Sequence, residues 1–136
     1  MPSLPTAIFV YGTLKRGEVR ERTWPRVPLS VTEASVRGCL YDLGPYPALV
    51  EGGDQVGGEL WQFSVDDLPV TLAALDDVES YSGGPDDLYR RVIVECETGS
   101  GIVRAWVYRY ARERELSAAK RIEPDHVGVC RWKSTK

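Results

Sequence analysis

Hydrophobic positions divide the chain into short blocks, most of them with the spacing of strands. Residues 7–11, Ala7-Ile8-Phe9-Val10-Tyr11, form an unbroken apolar and aromatic run, the pattern of a strand buried on both faces. Gly12 ends it, and residues 12–17 are turn-rich and carry Lys15 and Arg16. Residues 18–26 are mostly charged around Trp24 and Pro25 and read as a loop or a short exposed helix. Strand character resumes over residues 31–36 and 38–43. It continues into residues 44–50, where Pro45 and Pro47 flank Tyr46 and exclude a central ladder position. Gly52-Gly53-Asp54 predicts a turn, and residues 55–63 predict another strand. Gly57-Gly58 within it predicts a bulge or a close backbone approach.

One segment changes to helical spacing. Leu68, Leu72 and Leu75 recur on one face, joined by Val78 and Val65. The spacing predicts a helix starting near Ser64, with Ser64 or Asp66 as cap, Pro69 in the first turn, and Asp66 and Asp67 at the positive end. Ser82-Gly83-Gly84-Pro85 predicts its stop. Residues 88–95 and 102–110 then read as two strands joined by a hairpin turn over 98–101. From Ala111 the chain is charged, ending in Cys130-Arg131-Trp132-Lys133. About six strands and one main helix predict an α+β fold, and the strand number permits a small mixed β-barrel. The 136 residues are expected to form a single domain, 1–136.

Composition narrows the chemistry. Apolar residues make up 43% and charged residues 27% of the chain, a globular balance. Seventeen basic and twenty acidic residues leave a net charge of −3, which argues against nucleic acid as a partner. With one histidine, His126, a multi-histidine metal site is excluded. Cys39, Cys96 and Cys130 are widely spaced and read as free thiols in a reducing compartment. No metal and no cofactor is expected. The N-terminus lacks a signal-peptide pattern and no apolar run approaches the ~20 residues of a membrane helix, so the expectation is a cytoplasmic protein that binds no membrane. Oligomeric state is not readable.

The remaining candidates are a carboxylate, tyrosines and backbone. Glu79 lies four residues after Leu75 and seven after Leu72, which places it on the apolar helix face. A carboxylate directed at a core or pocket has its pKa raised, as an acid/base group near neutral pH requires. Alternatively, it meets Arg90, Arg91 or water at a frayed helix end. Asp76 shares part of that face, while Asp77, Asp86 and Asp87 read as solvated. Tyr11-Gly12-Thr13-Leu14 follows a buried strand and offers backbone N–H groups to a carboxylate or an oxyanion, or is an ordinary turn. Tyr46 is held between two prolines; it and Tyr89 either face a pocket or pack over a barrel rim.

The order of these pieces resembles the gamma-glutamylcyclotransferase-like family. Residues 9–17 (Phe9-Val10-Tyr11-Gly12-Thr13-Leu14-Lys15-Arg16-Gly17) are similar to its N-terminal signature, residues 38–49 to its second block and Val56-Gly57-Gly58-Glu59-Leu60-Trp61 to its third. Leu75-Asp76-Asp77-Val78-Glu79, followed by Tyr89-Arg90-Arg91-Val92, resembles its acidic block, and Ala105-Trp106-Val107-Tyr108 its last. The resemblance implies a small mixed β-barrel with flanking helices and release of 5-oxoproline from a small-molecule gamma-glutamyl substrate. It assigns acid/base catalysis to Glu79 and the substrate pocket to Tyr11, Gly12, Thr13 and Leu14; Tyr46 and Tyr89 are the further pocket candidates. Residues 122–132 depart from the family's Gly-Asp-Trp-like ending and leave the tail without an assigned role beyond covering a pocket edge. The competing reading is a non-catalytic module that binds a small metabolite on the same fold. A nucleic-acid site on Trp24, Arg20, Arg22 and Arg26 ranks last.

Overall fold

A computed structural model describes residues 4–133. Strand β1 (Ala7–Val10) is followed by a 3₁₀ turn (Glu21–Thr23), long strands β2 (Ser30–Asp42) and β3 (Pro47–Gln62), helix α1 (Leu68–Val78), the hairpin β4 (Tyr89–Thr98) and β5 (Gly101–Tyr110), two further 3₁₀ turns and a short β6 (Val129–Cys130). β1 closes the barrel. It runs antiparallel to β3, from Ala7 opposite Gln62 to Val10 opposite Glu59, and parallel to β5, with Ile8 opposite Trp106. The order β1-β5-β4-β2-β3, returning to β1, is a closed five-stranded mixed barrel, with β6 added in parallel beside β3.

The run at residues 7–10 is apolar at every position because β1 is buried on both sides. Phe9 and Ala7 join Val36, Leu40, Leu49, Leu60 and Val107 in one cluster, which fills the barrel. Ile8 and Val10 join Trp61, Phe63, Leu72 and Leu75 in the other, between barrel wall and helix. This alternation is the pleat of a strand with no solvent face. Gly58 is a close approach, since a β-carbon there would strike the Val10 carbonyl and the Phe9 ring. The hairpin over 98–101 forms as expected, with Thr98 opposite Gly101.

The expected turn and both expected helix ends are corrected. Residues 52–54 make no turn: β2 and β3 pair on both sides of them, and the register jumps from Gly38–Asp54 to Cys39–Val50. Residues 51–53 are thus an extruded bulge inside one long strand. Gly52 is required there because a side chain would overlap Cys39 Sγ. The helix starts later than Ser64. The Ser64 hydroxyl accepts the Asp67 N–H at 3.1 Å, building a turn before the helix, and Val65 is 74% exposed. The helix also stops before the Gly-Gly-Pro segment. Ser80 adopts φ 54°, Tyr81 N–H reaches Asp76 O at 2.8 Å and Ser80 N–H reaches Asp77 O at 3.2 Å. That is a Schellman motif with serine in the place usually taken by glycine.

The charged tail is not a loose appendage. It supplies β6, and Trp132 is 2% exposed, its Nε1–H donating to Asp42 Oδ1 at 3.1 Å. Asp87 is likewise not solvated. It accepts the N–H groups of Ser82 and Gly83 and the Ser82 hydroxyl. Burial pushes its carboxyl up, but these bonds outweigh it and hold the group below the usual range. No helix among the described residues is long and apolar enough to cross a membrane.

Candidate active site

The site forms where β1 runs out. Gly12 follows Tyr11 at the strand end because the chain there lies against Pro47; a β-carbon on Gly12 would sit 2.6 Å from Pro47 Cγ. A turn closes from Lys15 N–H to Gly12 O at 3.1 Å, and Arg20 N–H bonds to Thr13 O at 2.8 Å, folding the charged segment back over the turn. The N–H groups of Thr13 and Leu14 have no acceptor among the described residues. Trp24 holds this turn: its Nε1–H donates to Leu14 O at 2.9 Å, and its ring stacks on Trp61 at 4.1 Å. Lys15 Nζ donates to Trp132 O at 2.7 Å. The tail therefore supports the turn from behind, and the stretch around Trp24 is a structural clamp.

The second wall is aromatic. Tyr89 donates to Pro47 O at 2.6 Å and Tyr11 to Tyr108 O at 2.5 Å, both as buried bonds. Tyr46 meets Tyr89 edge-on at 6.1 Å. Tyr108 donates to Asp76 Oδ1 at 2.7 Å. Burial, with the nearby charge of Glu79, raises the pKa of Tyr11, Tyr89 and Tyr108, so all three stay protonated.

Glu79 is the C-cap of α1. The left-handed Ser80 that ends the helix turns the chain at this position. The Glu79 side chain is 11% exposed, and Arg20 approaches it at 4.0 Å. Burial pushes its carboxyl up to about 6, against the opposing pull of Arg20. Arg90 and Arg91 are not its partners: Arg91 pairs with Asp76 at 2.7 Å. The carboxyl thus lies close to neutrality with one distant cation, a state suited to taking and returning a proton.

All seven sequence-derived candidates, Tyr11, Gly12, Thr13, Leu14, Tyr46, Glu79 and Tyr89, line one cleft that is partly open to solvent. Its wall also includes Arg20 and Tyr108, which the sequence did not single out for this site. A signal existed for Arg20, because a carboxylate held on an apolar face calls for a cation, but none of the arginines is marked by spacing. Among the described residues no cluster of three or more His, Cys, Asp or Glu could hold a metal ion.

Comparison with known proteins follows the same lines. Residues 8–133 match the family described as gamma-glutamyl cyclotransferase, AIG2-like. The chain is 34% identical over 119 residues to the gamma-L-glutamyl-butirosin B gamma-glutamyl cyclotransferase of Niallia circulans, covering 85% of this chain and 71% of that one. It is 32% identical over 116 residues to a gamma-glutamylcyclotransferase family protein of Escherichia coli K12, covering 85% and 90%. The crystal structure of an AIG2-like protein from Mus musculus superposes with a TM-score of 0.62 over 96% of this chain and 97% of that one, at 22% identity. That likeness establishes the shared fold.

Proposed function

The chain belongs to the gamma-glutamyl cyclotransferase, AIG2-like family, and on that premise we propose that it releases 5-oxoproline from a small gamma-glutamylamine, with Glu79 as general base and acid. The observation that carries this reading is the buried Glu79 carboxyl, raised to about 6, in one cleft with the residue 11–14 turn. The Niallia circulans relative is named for a gamma-L-glutamyl compound, which supports a gamma-glutamyl head group here.

The reaction needs no nucleophile from the protein. Glu79 takes a proton from the substrate α-ammonium. The free amine attacks its own γ-carbonyl carbon, closing a five-membered ring and placing negative charge on the carbonyl oxygen. The N–H groups of Thr13 and Leu14 receive either that oxyanion or the substrate α-carboxylate. Protonated Glu79 then delivers its proton to the leaving nitrogen, and the amide C–N bond breaks. Two of the ammonium's three protons end on the leaving nitrogen, so the lactam keeps one N–H and the freed amine departs protonated. No water is consumed. Holding the folded-back conformer against the carbonyl is the remaining contribution.

The test is mass-spectrometric detection of 5-oxoproline after incubation with gamma-glutamylamines, gamma-glutamyl amino acids and gamma-glutamyl-ε-lysine. The wild type is expected to release it, and Glu79→Gln to keep the fold while losing ~10²–10⁴ in turnover. Near-normal turnover in Glu79→Gln would overturn the role of Glu79. No release from any member of the panel would overturn the enzymatic reading in favour of a binding module.

A further inference from the structure

Three of the tyrosines in the cleft share a property that their positions alone do not reveal: each has already spent its one hydrogen. Tyr11 donates to the carbonyl of Tyr108 and Tyr89 to the carbonyl of Pro47. A carbonyl can only accept, so the direction of both bonds is settled. Tyr108 donates to Asp76 Oδ1, and the other oxygen of that carboxylate is held by Arg91 at 2.7 Å. Arg91 is itself fixed between aromatic faces, 5.6 Å from the Tyr81 ring centroid and 5.0 Å from that of Trp106. An arginine offers donors only, so Asp76 has nothing but acceptor capacity to show to Tyr108. The Tyr11 oxygen also receives the Leu49 N–H, which leaves it one lone pair. Toward the cleft, each phenol oxygen can therefore only accept. All three tyrosines line the same cleft as Glu79.

Other residues of the same lining have the reverse polarity: Thr13 and Leu14, whose N–H groups have no acceptor among the described residues, and Arg20 with its guanidinium. We propose that Tyr11, Tyr89 and Tyr108 form an acceptor-only subsite for the substrate's α-ammonium group, with Asp76 and Arg91 as positioning residues that keep Tyr108 an acceptor. An ammonium group carries several N–H donors and no acceptor, so it satisfies such a wall where a hydroxyl or a water would leave its own lone pairs facing oxygen. The subsite would hold the nitrogen beside Glu79, where its proton has to leave. This inference rests on the gamma-glutamyl reading and specifies which end of the head group lies where.

Calorimetric titration of the full chain with L-norvaline and pentanoate tests it. The two probes share the carboxylate and carbon chain and differ in the ammonium group. For the wild type, norvaline is expected to bind at least about tenfold more tightly than pentanoate, the scale of hydrogen bonds to a charged group. In Asp76→Asn, Arg91 claims the amide carbonyl and the amide NH₂ donates to the Tyr108 oxygen, taking up its acceptor capacity, while the phenol hydrogen turns to the Leu72 carbonyl at 3.5 Å. The preference should then fall to about threefold or less while pentanoate affinity stays within about twofold. Tyr108→Phe should lose the preference in the same way, and melting temperatures identify variants that remain folded. An unchanged preference in folded Asp76→Asn, or equal binding of both probes by a wild type that releases 5-oxoproline, would overturn the subsite and leave the cyclotransferase reading standing. A wild type that neither binds the probes nor releases 5-oxoproline would overturn both.

Discussion

Asp76 and Glu79 stand one helical turn apart on the same face of α1, yet their surroundings differ in kind. Asp76 turns toward the wall of the cleft, where Arg91 holds one oxygen at 2.7 Å and Tyr108 the other at 2.7 Å. Glu79 turns into the cleft itself, 11% exposed, with Arg20, its one ion-pair partner among the described residues, at 4.0 Å. Its carboxyl is pushed up to about 6 by burial. A carboxylate given a tight cation and a fixed donor is committed to structure, because moving its proton would break both contacts. A carboxylate deprived of them pays in stability for a proton it can exchange near neutral pH. The family's chemistry, as proposed here, uses the second kind, and the fold keeps the first kind beside it to hold the wall.

That contrast predicts opposite outcomes when each carboxylate is removed. Asp76→Ala leaves a half-buried arginine and a phenol hydrogen without partners. It should cost about 2 kcal/mol, below the range for fully buried pairs because both groups keep some solvent. Urea denaturation reads this directly, and a loss within error of zero would break the contrast. Glu79→Gln should do the reverse at neutral pH. The folded protein binds the Glu79 proton more tightly than the unfolded chain does, so the glutamate's contribution to stability is fully present below pH 4.5 and is lost as pH rises through about 6. Above that, the charged form costs about 2 kcal/mol on the scale of 1.36 kcal/mol per unit, somewhat less after solvent screening. Glu79→Gln should therefore raise the melting temperature at pH 7.5 and leave it unchanged near pH 4. A variant no more stable than wild type at pH 7.5 would mean that Glu79 is not held near neutrality by burial.

Smaller effects sharpen the picture. Ser80 holds a left-handed conformation at φ 54° that glycine adopts without a clash. Ser80→Gly should stabilise the helix end by ~0.5–1 kcal/mol and leave the position of Glu79, and hence turnover, unchanged. A fall in turnover would show that the serine side chain takes part in orienting the glutamate. Arg20→Gln removes the cation that lowers the Glu79 pKa. The acid limb of the kcat/KM profile, expected near pH 6 in the wild type, should move upward. An unmoved limb would place Arg20 outside the electrostatics of the cleft.

Much of the fold was legible from local pattern. The residue 7–11 run announced a doubly buried strand, the leucines at 68, 72 and 75 a helix, and residues 98–101 a hairpin. Each depends on spacing within a few residues. The misreadings share a cause. Gly52-Gly53 looked like a turn because glycine marks both turns and bulges. Only the continued pairing of β2 with β3 on both sides distinguishes them. The helix end was read at the glycines, although a serine took the left-handed position in their place. Asp87 looked solvated in sequence, and the tail with Trp132 had no assigned role beyond covering a pocket edge, because their partners, Ser82–Gly83 for one and Asp42 and Lys15 for the other, are set by tertiary approach.

The candidate site divides in the same way. Helical periodicity alone placed Glu79 on the apolar face, and the glycine after a buried strand marked the residue 11–14 turn, since both follow from backbone geometry. Which cation faces Glu79, and which carboxylate Arg91 takes instead, depended on packing between elements far apart in the chain. So did the direction of every tyrosine hydrogen bond: Tyr11 finds its acceptor 97 residues away and Tyr89 finds its own 42 residues away. Burial and partner choice are properties of the closed barrel, and they separate a carboxylate that holds a wall from one that can carry a proton.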